Sequence, residues 1–254
     1  MAERLERLKV HRRAVVLDGQ THTVLSPRPG GSYSFATNYF HETWHIVTDA
    51  PGARLLGRLF WAMAFQRRER TLMVIDQSCI VPNPFDADPS SPIVILNNDL
   101  GSLSLSAADD LLAALPFKTP SDGTVVLQTR GLDVALSDRE AFQQREMSAG
   151  WPWNDHQQRS WIDGINGLVV VAAPAPVLRQ WGVGVSRTGG QFYNGSNEEM
   201  LEWPRGRGEI QVLEKFHARL ESAQAKREQL FPGRAHEGLS DDEHRLLWGI
   251  ETSE

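Results

Sequence analysis

The sequence predicts an α/β protein: a mixed sheet with βαβ unit(s), an N-terminal β-hairpin and a C-terminal helical extension. Three observations carry this reading. Asp18-Gly19 sits between two apolar-rich runs, a strong hairpin signal because both central residues of a type I′ turn need positive φ. Residues 41–75 read strand, helix, strand. From Glu209 onward the pattern becomes amphipathic and helical, so we divide the chain into an α/β domain (1–205) and a helical extension (206–254).

Taken in order, residues 2–9 are expected to form a short helix with Leu5 and Leu8 on one side. Ala14–Leu17 and Gln20–Leu25 are the hairpin strands, 26–31 (SPRPGG) a loop, and Ser32–Ala36 a further strand. His41-Glu42-Thr43-Trp44-His45 then matches the H-E-x-x-H zinc pattern. On a helix, histidines four apart share a metal while the Glu activates a bound water. Here, however, Glu42, Trp44, Ile46 and Thr48 alternate with Thr43, His45, Val47 and Asp49, and the strand formers Thr, Trp, Ile and Val dominate. In a strand, residues four apart are about 13 Å from each other, too far for one zinc. A helix over 38–48 would restore the zinc reading.

Asp49 or Thr48 caps the following helix, with Pro51 in its first turn and Leu55, Leu56, Leu59, Phe60 and Met63 on a buried face. Leu72–Ile75 is a short buried strand, 81–92 a proline-rich loop and Ile93–Leu96 another strand. Ser106–Leu115 is a helix capped by Ser106, Thr124–Thr129 and Leu132–Leu136 are strands joined at Arg130-Gly131, and 138–147 is helical. The Trp-rich tract 150–167 is irregular or partly helical and leads to the strand Leu168–Ala173. A short helix to Trp181 and a strand-plus-turn over Gly182–Gln191 follow. Leu213, Phe216, Leu220, Ala223 and Leu230 fall near one helical stripe starting at Glu209. Pro232-Gly233 ends it, and the capping box Ser240–Glu243 opens a last helix carrying Leu246, Leu247, Trp248 and Ile250.

The 254 residues, 41% of them hydrophobic, suffice for a full core. A net charge of −6 argues against a general nucleic-acid binder. One cysteine, Cys79, forbids an internal disulfide and fits a reducing cytosol. No apolar signal core or membrane-length apolar run is present, so a cytoplasmic location is expected. Arg outnumbers Lys 22 to 4, which points to a GC-rich bacterial genome.

Several residues are candidates for chemistry. Asp76 and Asp99 follow strands, and acids at strand C-terminal ends can hold Mg²⁺ for phosphate chemistry. Trp151, Trp153 and Trp161, with His156 and Arg159 among them, suit a binding surface, because Trp and Arg dominate contact energies. Cys79 lacks any motif of a nucleophile. Neither a phosphate-binding loop nor a G-x-S-x-G nucleophile is found. The C-terminal helices either pack back on the domain or offer their stripe to a protein partner. The leading functional expectation is a cytosolic bacterial binding or assembly protein acting through protein or small-ligand contacts. The alternatives are a metal-dependent hydrolase or phosphoesterase using Asp76 and Asp99, and a zincin-like hydrolase using His41, Glu42 and His45.

Overall fold

A computed structural model describes residues 7–148, 159–188, 196–200, 207–234 and 237–249. Strand β1 (Arg7–Leu17) pairs antiparallel with β2 (Gln20–Ser26) around Asp18 and Gly19, whose φ values of 50° and 68° are those the hairpin turn requires. Residues 7–9 are thus strand where a helix was expected, because Leu8 and Val10 pair across to a strand far along the chain, β7 (Gly123–Gln128). The other strands are β3 (Phe35–Phe40), β4 (Thr43–Thr48), β5 (Thr71–Ile75), β6 (Ile93–Asn97), β8 (Trp161–Ile165), β9 (Leu168–Ala173), β10 (Ser196–Met200) and β11 (Arg207–Leu213).

They form two sheets. The larger has the order β7-β1-β2-β5-β6-β9-β8, with parallel pairs β2/β5 and β6/β9. The smaller has the order β10-β11-β4-β3, with β11 parallel to β4. The fold is mixed α/β, as the sequence predicts. The helical crossover is also present, but its details differ. The strand parallel to β5 is β2; β4, which directly precedes the helix, belongs to the smaller sheet. The β3–β4 hairpin is an insertion in that crossover, and β4 pairs with its hairpin mate because their separation is only two residues.

Helix α1 (Ala50–Ala64) starts at Asp49, whose carboxylate accepts from the Gly52 N–H at 2.7 Å. Helix α2 (Leu105–Ala114) is capped by Ser104 rather than Ser106, the Ser104 hydroxyl accepting from Ala107 N–H at 3.0 Å. Leu132–Leu136 is not a strand: it lies in α3 (Leu132–Ser137), because Gly131 (φ 88°) turns the chain and Leu132 and Ala135 then bury on one side against Trp61. Helix α4 (Arg139–Ser148) follows. Helix α5 (Ala175–Thr188) runs well past Trp181, through the stretch expected to be strand, since Leu178, Trp181 and Val185 share a buried helical face. Residues 209–213 are strand β11 rather than the start of a helix, with Ile210 and Val212 buried between the sheets; the helix begins only at α6 (Phe216–Leu230). This strand lies beyond residue 205 and completes the smaller sheet. The last helix, α7 (Asp241–Trp248), opens with the expected capping box at Ser240 and Glu243. Part of the Trp-rich tract is strand β8, turned back into β9 by Asn166 and Gly167 at φ 48° and 83°.

The core follows from alternation in the larger sheet. Leu72, Val74, Val94, Leu96, Val170 and Ala172 face α2, while Met73, Ile75, Ile93, Ile95, Val169 and Val171 face α1, α5 and the inner side of the smaller sheet. Among the described residues, no helix is long and apolar enough to cross a membrane.

Helices α1 and α5 pack with backbones nearly touching. A Cβ on Gly57 would lie 2.6 Å from the Gly182 carbonyl oxygen, and one on Gly182 would lie 2.9 Å from the Gly57 carbonyl oxygen. Gly57→Ala is therefore expected to destabilise the fold by about 1–3 kcal/mol through overpacking, despite alanine's better helix propensity. Urea denaturation checks this; a variant as stable as the wild type would contradict the close approach.

Candidate functional site

His41 and Glu42 have φ values of 49° and 59° and form the two-residue turn between β3 and β4, where Phe40 pairs with Thr43. The H-E-x-x-H stretch is thus half turn and half strand, with no helical residue. His41 is exposed and edges against the Phe40 ring, whereas His45 is buried in β4 with Nδ1 3.8 Å from Glu209 Oε1. The helical stacking that zinc sharing by His41 and His45 demands is missing.

Asp76 and Asp99 are not brought together. Strands β5 and β6 are antiparallel, with Ile75 opposite Ile93 and Leu72 opposite Leu96. Asp76 therefore sits at one end of the pair and Asp99 beyond the other, separated by more than about four strand steps, or 13 Å. Each has a local task. Asp76 accepts from the Ser78 N–H at 3.0 Å and from the Ser78 hydroxyl. Asp99 accepts from Arg159 Nη1 at 2.9 Å and from the Ala175 N–H at 3.0 Å, at the start of α5. Arg159 is thereby tied to the sheet edge, and half-buried Trp161 packs beside the α2 side of the core. Trp151, Trp153 and His156 lie outside the described residues. Cys79 is buried, and burial pushes its thiol pKa up, which disfavours the thiolate a nucleophile needs.

A different constellation forms on the outer face of the smaller sheet. Asn38, His45 and Glu209 lie in one cross-strand row on β3, β4 and β11. Gln211 lies one row further along β11 and donates from Nε2 to Glu209 Oε1 at 2.7 Å. Phe40 from the end of β3, Phe85 from the 81–92 loop and Trp248 from α7 stand around this polar floor. Together Asn38, Phe40, His45, Phe85, Gln211 and Trp248 enclose a cavity of about 370 Å³. Phe40 and Trp248 meet edge to face at 5.5 Å and remain 41% and 37% exposed, so the walls are reachable from solvent. No sequence motif marks this site. Its residues come from four segments far apart in the chain, and only His45 belonged to a recognisable pattern.

The Trp248 wall is held by an ionic network. His244 stacks on Trp248 with ring centroids 5.4 Å apart, and its Nε2 lies 3.1 Å from Asp88 Oδ2 and 3.6 Å from Asp86 Oδ2. Arg227 of α6, only 2% exposed, pairs with the Asp88 carboxylate. It also donates to the carbonyls of Asp86 at 3.3 Å, Arg234 at 3.0 Å and Glu237. The Leu239 N–H adds a bond to Asp88 at 3.2 Å. The loop thus grips both C-terminal helices through one guanidinium and two carboxylates. Donor atoms of Asp86, Asp88 and His244 lie within 4.8 Å of one another, the separation a metal ion could span. The Arg227 cation already neutralises Asp88 there, so the geometry reads as a structural ion cluster.

No family model matches the chain, and no curated protein or solved structure matches it at a significant level. The site is therefore argued from its geometry.

Removing Arg227 leaves the half-buried Asp88 carboxylate and several carbonyls without their donor. Arg227→Ala is expected to cost about 3–5 kcal/mol in denaturant melts, and Arg227→Lys to recover only part of it, because an ammonium lacks the planar fork. Full rescue by lysine would refute the network's geometry. Burial raises the Asp86 carboxyl above its ordinary 3.8, the Asp88 charge adding to the rise while His244 and Arg227 oppose it. Within the window between 3.8 and the raised value, the native state binds more protons than the unfolded chain, so stability falls as pH rises through it. Relative to Asp86→Asn, the wild type should lose stability across that window and level off above it. Thermal melts at a series of pH values measure the difference; a rising difference would reverse the sign and exclude burial as the dominant cause.

Proposed function

We propose that this chain is a cytosolic bacterial binding protein that works through small-ligand contacts in the cavity between the smaller sheet and α7. The observation that carries the reading is the cavity's composition: aromatic walls around a few convergent polar side chains, at a volume of about 370 Å³, within the roughly 300–1,000 Å³ range of small-ligand pockets. The acidic net charge supports a ligand other than nucleic acid. A hydrolase built on Asp76 and Asp99 gains no support from two carboxylates at opposite strand ends. A contact with a protein partner through the C-terminal helices has a more modest basis, Leu246 of α7 being 62% exposed.

The test is a ligand-observed NMR screen of small neutral, acidic, basic and aromatic fragments against the wild type and Asn38→Trp, a substitution that fills the cavity from a half-buried strand position. Hits that compete with one another and disappear in the folded variant are expected. Hits that persist in Asn38→Trp, or no mutually competing hits at all, would overturn the proposal.

A further inference from the structure

We infer that the ligand of this cavity is a non-anionic, planar heteroaromatic ring with hydrogen-bond donors and acceptors along its edge, of the nucleobase or nucleoside class. This rests on the small-ligand reading above and specifies it. Three features converge. The walls are aromatic: Phe40, Phe85 and Trp248 line the cavity, and aromatic surfaces favour a planar ligand. The floor is amphoteric. Asn38 and Gln211 each bring a carboxamide, with donors and an acceptor fixed side by side, and His45 brings a ring nitrogen. Carboxamides match the paired donor and acceptor edge of a base, as Asn and Gln do when they read adenine. No other described side chain hydrogen-bonds the Asn38 carboxamide, and one Gln211 N–H is committed to Glu209, which leaves its remaining polar positions for a ligand.

The described charges disfavour an anion. Among the described residues no Lys or Arg lines the cavity, and the buried Glu209 carboxylate stands beside His45 in the same row. A phosphate or carboxylate entering here would meet the Glu209 carboxylate, with no lysine or arginine among the described lining residues to offset it. The same absence separates a nucleoside from a nucleotide. Trp248 belongs to α7, held by His244 on the Asp86 and Asp88 carboxylates, so a ligand touching Trp248 adds to the contacts that dock this helix. Binding is therefore expected to raise the melting temperature and change tryptophan fluorescence.

Isothermal titration of the full chain with adenosine, guanosine, cytidine and uridine, and with sodium benzoate and adenosine monophosphate as controls, tests the inference. At least one nucleoside should bind saturably, and benzoate and the monophosphate should bind at least about tenfold more weakly. Asn38→Ala and Gln211→Ala should each weaken the nucleoside about fivefold, the loss of one net hydrogen bond. Asn38→Asp keeps the size but removes the amide donor, and should change the ranking of the four nucleosides. Failure of every nucleoside to saturate, equal binding of benzoate, or indifference to both alanine substitutions would overturn the inference. Should a variant fail to fold, the wild-type preference for a nucleoside over benzoate still decides. If fragments compete and vanish in Asn38→Trp while all nucleosides fail, the ligand class falls and the binding reading stands. If the fragments fail as well, both fall.

Discussion

Every side chain of β5, β6 and β9 is buried, so both faces of the larger sheet must be covered. The rest of the architecture answers that demand. Helix α2 covers one face. The other is too broad for α1 alone, and α5 lies against α1 so closely that glycine is required at the crossing. The smaller sheet extends the same layer, burying Phe35, Ile46, Ile210 and Val212 in the shared core. At the seam, a Cβ on Gly208 of β11 would fall 2.1 Å from an Ile162 side-chain carbon of β8, so the two sheets also meet at a position without a side chain.

With its inner face committed to the core, the smaller sheet has an outer face divided by chemistry. At one end Ala36, Val47 and Leu213 are apolar, and α6 covers them with Phe216 and Leu220. At the other end Asn38, His45, Glu209 and Gln211 are polar, and a tightly packed apolar helix there would leave their hydrogen-bonding groups without partners. The chain instead spans that end with aromatic side chains and fastens the covering helix at a distance, through Asp86, Asp88, His244 and Arg227. Glu243, held down to about 2 by the Ser240 N–H and by Arg234, fixes the start of the same helix.

The legible parts of this structure are those whose signals are local. Asp18-Gly19 announces its turn, Asp49 and Pro51 announce α1, and the Ser240 capping box announces α7. The missed parts depended on tertiary context. The turn at His41-Glu42 carries none of the Gly or Asn residues that normally mark positive φ, so the segment read as uninterrupted strand. In α5, the stretch from Gly182 read as strand plus turn, although the missing side chain of Gly182 serves helix packing. Residues 209–213 ran into the amphipathic pattern of α6, and only pairing with β4 makes them strand. The cavity was illegible for the same reason: Asn38 and Trp248 are brought together by the fold, with no spacing rule connecting them.

The position of β11 in the middle of the smaller sheet also matters for how the chain is made. β4 pairs with β3 soon after both emerge from the ribosome, yet its other edge stays open until residues 207–213 arrive more than 150 positions later. Throughout that interval the β3–β4 hairpin presents unpaired backbone groups and the apolar side chains of Ile46 and Val47 to its surroundings. The outer face around the cavity is thus completed only when β11 arrives, and a prematurely released chain would carry a sticky strand edge in its place.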